Sequence, residues 1–143
     1  MPRTERTLRV EAPPSVLMGV ITDFARYPEF LPATEAATVL VREPGAWEVR
    51  FRIRVIRELE YVLRLTQPDP LRLDWSLVEG PFRSNEGGWR LVPLDGGVAT
   101  RATYGLDVQV GMYVPGNIVR SLTERSLPDT LARFKAEAEA QVG

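Results

Sequence analysis

The sequence predicts an α+β protein in which a curved antiparallel sheet of six or seven strands wraps around one long C-terminal helix, with two short helices after the first strand. Three observations carry this. An apolar helical pattern follows a single short strand near the N-terminus. A series of period-two runs, separated by turns of hairpin length, fills the middle of the chain. After Pro115-Gly116 a helical period returns and persists to about Gln141. No repeat, linker or low-complexity stretch interrupts the 143 residues, so one domain over 1–143 is expected.

The elements follow in order. Thr7, Arg9 and Glu11 alternate with Leu8 and Val10, which makes Thr4 to Val10 a strand. Ala12-Pro13-Pro14-Ser15 stops it and opens a helix running to about Phe24. In the segment that follows, Pro28 and Pro32 disfavour helical geometry at Tyr27 and Leu31, so the chain is predicted to turn at both. Phe24, Tyr27 and Phe30 still need an apolar surface, and the segment reads as a stub closing over something apolar.

Strands are expected over Thr38 to Arg42, Trp47 to Arg57, Glu58 to Thr66, Leu71 to Val78, Gly88 to Leu91 and Val98 to Val110. The breaks between them are Glu43-Pro44-Gly45, Gln67-Pro68-Asp69-Pro70, Gly80-Pro81 and Asp95-Gly96-Gly97, with a bulge expected at Gly87-Gly88. Connections this short imply an antiparallel meander. In the last segment Ile118, Leu122, Leu131 and Phe134 recur at helical spacing. Pro128 removes one backbone hydrogen bond there, at about 3 kcal/mol. Either the helix kinks near Arg125 to Leu127, or Ser126 caps a second helical piece with Pro128 in its first turn.

The strand faces are one-sided. Trp47, Val49, Phe51, Ile53 and Val55 alternate with Glu48, Arg50, Arg52 and Arg54, while Leu59, Tyr61, Leu63 and Leu65 oppose Glu58, Glu60 and Arg64. Antiparallel pairing places glutamates opposite arginines, so the arginine stripe reads as a solvated face. Leu71, Leu73, Trp75 and Leu77 repeat the pattern, as do Val98 through Val110. One helix is too narrow to fill so broad a concave surface, which predicts a residual cavity lined by aromatic and aliphatic side chains with a few polar atoms. Tyr61, Trp75, Trp89 and Tyr104 stand out because each joins a large apolar body to a polar handle.

Composition narrows the chemistry. The chain has no cysteine and no histidine, which excludes disulfides, thiolate or imidazole metal sites, and Ser-His or Cys-His catalysis. Lys135, the only lysine, is expected in water on the final helix. A net charge of -1 argues against a domain-wide footprint for nucleic acid, and no DNA partner is expected. The charged N-terminus lacks the apolar run of a signal peptide, so a cytoplasmic location is expected.

Arg26-Tyr27-Pro28-Glu29-Phe30-Leu31-Pro32 after the first helix, and Gly80-Pro81-Phe82 with Gly88-Trp89-Arg90-Leu91-Val92-Pro93-Leu94 after a tryptophan-bearing strand, resemble the coenzyme-Q-binding proteins and the bacterial ribosome-association toxins. Both belong to the START-like superfamily, alongside polyketide cyclases, and the likeness runs through nearly the whole chain. It implies the helix-grip fold and a lipophilic ligand, such as a polyisoprenoid quinone, between sheet and helix. Tyr27, Phe30 and Leu31 would then gate the mouth, and Trp75, Trp89, Tyr104 and Leu122 would lie on the tunnel wall. Phe24, Phe51, Ile53, Tyr61, Leu106, Met112 and Ile118 complete the candidate ligand-binding set.

The function expected first is therefore a carrier or chaperone for a hydrophobic small molecule, without cofactor or metal. An aromatase/cyclase-type enzyme is the first alternative, with Asp74, Glu86 and Tyr104 as imaginable participants, although Asp74 lies on the strand face opposite Trp75. A ribosome-associating protein using Arg50, Arg52, Arg54 and Arg57 is the second. Met112, Tyr113 and Val114 could touch a membrane surface during loading.

Overall fold

The computed structural model describes residues 3–111, 115–121 and 126–142. Strand β1 (Thr4–Val10) leads into helix α1 (Pro14–Thr22), a single 3-10 turn (Phe24–Arg26) and the four-residue helix α2 (Tyr27–Phe30). Six further strands follow: β2 (Thr34–Glu43), β3 (Ala46–Val55), β4 (Arg57–Asp69), β5 (Arg72–Glu79), β6 (Phe82–Leu94) and β7 (Ala99–Val110). Helices α3 (Gly116–Arg120) and α4 (Leu127–Val142) close the chain. The strands form one antiparallel sheet in the order β1-β7-β6-β5-β4-β3-β2, so β2 to β7 are a meander and β1 joins its far edge. This is the α+β helix-grip arrangement, a sheet curled around the long last helix.

The helix seats itself on the sheet by a stripe at helical spacing. Leu127, Leu131, Phe134 and Ala138 are buried, and they share one apolar cluster with Leu17 and Ile21 of α1 and with Phe51, Leu65, Leu73 and Trp89 of the sheet. Polar contacts fix its far half. Lys135 Nζ donates to the Arg9 carbonyl at 2.9 Å and pairs with Glu139 at 2.6 Å, and Glu139 also accepts the Glu11 amide at 2.7 Å. Lys135 stays 37% exposed and also clamps α4 to β1. These donors also hold the Glu139 carboxyl below its ordinary range, Lys135 contributing most.

Several local expectations are corrected. Tyr27 is helical (φ -51°, ψ -43°) despite preceding Pro28, because its ring is buried and its hydroxyl donates to the Ile21 carbonyl; only Leu31 is extended. Of the two alternatives at Pro128, the described residues show the separate helical piece with Pro128 in its first turn, and Arg125 lies outside them. Ser126 N donates to the Ser121 carbonyl at 2.8 Å, Thr130 N donates to the Ser126 carbonyl at 3.0 Å, and α4 starts at Leu127 with Pro128 in its first turn, where a missing N–H costs little. Strand β6 extends well before Gly88, and Gly87 and Gly88 pair in register with Leu106 and Gly105; the irregularity lies between Phe82 and Ser84 instead. The β3 run ends at Val55, because the chain reverses around Ile56, whose φ is +68°.

The arginine stripe is paired as expected. Arg50 meets Glu60 at 3.6 Å, Arg52 meets Glu58 at 3.8 Å, and Arg54 meets Glu35 at 3.3 Å and Glu58 at 3.4 Å. These exposed pairs contribute about 0–1 kcal/mol each.

Two substitutions test the backbone reading. Ile56 is 60% exposed and adopts a left-handed conformation that costs a β-branched residue about 1–2 kcal/mol, so Ile56→Asn should raise stability by roughly 1 kcal/mol in urea unfolding. A Cβ at Gly87 would lie 2.2 Å from the Gly105 carbonyl oxygen and 2.5 Å from the Trp75 ring. Gly87→Ala should therefore cost at least about 2 kcal/mol in the same assay.

Candidate ligand cavity

The concave face of the sheet is not filled completely. A cavity of about 170 Å³ lies between it and α4, walled by Phe51, Ile53, Leu63, Leu65, Leu73, Trp89 and Leu106 from the strands, Tyr27 and Leu31 from the stub, and Leu127 and Phe134 from α4. Few polar groups reach it: Thr34, Tyr61, Trp75, Asn85, Tyr104, Ser126 and Thr130. Among the described residues none of the lining side chains is charged at neutral pH.

The aromatic groups form a connected network of edge-on contacts. Phe134 meets Tyr27 at 5.3 Å, Phe30 at 5.3 Å and Trp89 at 5.2 Å between ring centroids, and Trp89 meets Tyr104 at 5.0 Å. Tyr61 stacks toward Phe51 at 5.8 Å and Phe82 at 5.3 Å. Edge-to-face pairs of this kind add about 0.5–1.5 kcal/mol each beyond burial. The C-terminal helix thus joins the network through one residue, Phe134, while Tyr27 meets Phe24, Phe30, Phe51 and Phe134.

Of the residues singled out in the sequence, Tyr27, Leu31, Phe51, Ile53, Tyr61, Trp75, Trp89, Tyr104 and Leu106 line the cavity. Phe24 is fully buried behind it, packed on Tyr27, Trp47 and Phe51. Phe30 covers Tyr27 and Phe134 from outside the lining. Ile118 is buried in a second apolar cluster with Phe82, Leu106 and Val108. Met112 and Leu122, with Tyr113 and Val114, lie outside the described residues. Asp74 and Glu86 border a separate polar depression of about 330 Å³, over Gly88 and Gly105 with Arg3, Arg72 and Arg90. Among the proposed acid-base participants only Tyr104 faces the cavity.

Several lining residues lie outside the candidate set, among them Phe134, Leu73, Thr34 and Asn85. Asn85 was legible in principle, since it shares the alternation of Gly87, Trp89 and Leu91, but ending the strand at Gly88 hid it.

A curled antiparallel sheet gripping a long helix around an apolar cavity defines the START-like class. Residues 10–135 match the polyketide cyclase/dehydrase and lipid transport family, and the chain belongs to it. It is similar to the ribosome association toxin RatA of Vibrio cholerae, with 29% identity over 96 residues, 66% of this chain and 67% of that protein. Its fold is shared with the Zhui aromatase/cyclase from Streptomyces sp. R1128 (TM-score 0.87, 21% identity, 99% of this chain and 96% of that one). A START superfamily protein from Mycobacterium smegmatis is similar too (TM-score 0.77, 23% identity, 98% and 96%). At these identities the structural likeness is one of fold. Among the described residues no helix is long and apolar enough to cross a membrane.

Burial raises the phenol pKa of Tyr27, Tyr61 and Tyr104 above the ordinary value of 10.0, and the neighbouring phenols add to the shift at Tyr27 and Tyr104. The native state keeps these groups neutral where the unfolded chain ionises. Stability should therefore be unaffected below about pH 10 and fall above it, by up to about 1.4 kcal/mol per pH unit for each phenol still neutral in the fold. Urea midpoints between pH 9 and 11, read beside ultraviolet absorbance of phenolate, check this: the midpoint should drop before the native phenols ionise.

Proposed function

We propose that the chain is a binding protein for a small, predominantly apolar molecule, which it holds between sheet and C-terminal helix as a carrier or chaperone. The observation that supports this most directly is the cavity wall, aromatic and aliphatic throughout with a few uncharged polar groups, which is the make-up of a small-molecule site. A ligand burying about 200 Å² of apolar area would gain roughly 5 kcal/mol gross. Part of that offsets the loss of ligand freedom, leaving affinity of the carrier kind without any catalytic group.

Size bears on the ligand. A dry cavity of about 150 Å³ accepts benzene. At about 170 Å³, one or two rings fit this cavity as it stands, whereas a long isoprenoid tail requires the wall to open. A cyclase reading is weaker, because Asp74 and Glu86 face the other side of the sheet.

Ribosome association is the second reading, favoured by the similarity to the V. cholerae toxin. In that case co-sedimentation with ribosomes should weaken steeply with salt.

Native mass spectrometry of freshly purified protein, followed by organic extraction, should reveal a bound lipophile. Leu106→Trp, which fills the cavity from β7, should lower that occupancy at least tenfold while the protein still unfolds cooperatively. A bound molecule retained at full occupancy in the variant would place the ligand elsewhere.

A further inference from the structure

We infer that Asn85 is the polar anchor of the cavity, and that the molecule taken there carries a neutral carbonyl on an apolar ring system. This rests on the cavity being a binding site. Asn85 is only 6% exposed, stands opposite Val108 on the concave face of β6, and lines the cavity. Trp75 Nε1 lies 3.2 Å from its Oδ1. An indole N–H can only donate, so the amide oxygen must face Trp75 and the amide nitrogen must face away from it.

Among the described residues, that nitrogen has no protein acceptor, so two N–H donors remain uncommitted in an apolar setting. The hydroxyls of Tyr61 and Tyr104 line the same cavity and likewise have no hydrogen-bond partner among the described residues. The Asn85 amide thus brings two donors to the cavity, beside hydroxyls that can donate or accept. A donor that faces an apolar cavity without an acceptor is unfavourable, and a carbonyl oxygen, with two lone pairs and no proton, is its complement. The ligand group should also be uncharged, because among the described residues no lining side chain carries a positive charge to offset the desolvation of a carboxylate.

Trp75 acts here as a positioning residue. Its place depends on Gly87, where any side chain would collide with the indole, so a glycine on β6 and a tryptophan on β5 together set the direction of the Asn85 amide.

The test uses the full chain and two probes of matched shape, acetophenone and ethylbenzene, followed by NMR titration. In the wild-type protein the ¹⁵N–¹H signal of the Asn85 side-chain amide should shift with acetophenone and stay in place with ethylbenzene. Asn85→Leu should weaken acetophenone about five- to tenfold and leave ethylbenzene within twofold, the loss of one hydrogen bond. The wild-type amide signal needs no variant, so the proposal is decided even if Asn85→Leu fails to fold. Acetophenone bound without any change in that signal, or a loss common to both probes in the variant, overturns the anchor while leaving the cavity as a binding site. If neither probe binds the wild-type protein, the binding reading fails and the anchor with it.

Discussion

A broad one-sided sheet and a narrow cover impose the constraint from which the rest of the structure follows. Seven strands at about 4.8 Å spacing span roughly 29 Å from edge to edge, whereas an α-helix with its side chains is only about 10–12 Å across. A flat sheet would leave most of its apolar face in water. Curling the sheet around α4 brings both flanks toward the helix, and α1 closes one end by joining the same apolar cluster. Even so, four buried residues at helical spacing (Leu127, Leu131, Phe134 and Ala138) cannot fill the volume enclosed by five strands' worth of inward side chains. The cavity is the remainder of that mismatch, and the large rings of Phe51, Trp75, Trp89 and Tyr104 limit its size.

The polar features of the cavity come from backbone economy on β5, β6 and β7. Gly87 lets the Trp75 ring lie against β6, and Gly88 leaves room beside the Leu73 carbonyl and Asp74 on the other face. Close strand approach carries Trp75 Nε1 to Asn85. A mid-strand glycine is ordinarily a weakness. Here it sets the direction in which a buried amide presents its donors.

The fold was legible because its signals are periodic and mutually consistent. One-sided alternation in β3, β4, β5 and β7 identified the concave face, and the return of helical spacing after Pro115-Gly116 identified its cover. Failures occurred where a local residue gave a misleading signal. Gly87-Gly88 looked like an irregularity, and that reading cut off the half of β6 that carries Asn85. Ile56 carries no turn signature, yet it makes the β3–β4 reversal in a conformation its side chain disfavours. Pro28 alone argues against helical geometry at Tyr27, whereas its buried ring and the hydrogen bond to Ile21 outweigh that local preference. For the site, Phe134 reads in the sequence as helix periodicity, and its role as the link from α4 to the ring network follows only from three-dimensional contacts.

Electrostatics on the outer surface separate this chain's own evidence from what its relatives suggest. The stripe of Arg50, Arg52 and Arg54 is matched residue for residue by Glu35, Glu58 and Glu60, so its field largely cancels at distances beyond the pairs themselves. Arg6, Arg42, Arg83, Arg101 and Arg120 have no ion pair among the described residues. They sit in the middle of β1, near the end of β2, the start of β6, the first half of β7 and the end of α3, which spreads them over the fold rather than in one patch. Phosphate recognition depends on several cations acting over one stretch of backbone, and these five positions are not arranged that way. The physical features that do converge on one place are apolar rings and uncharged donors, and they converge inside the sheet.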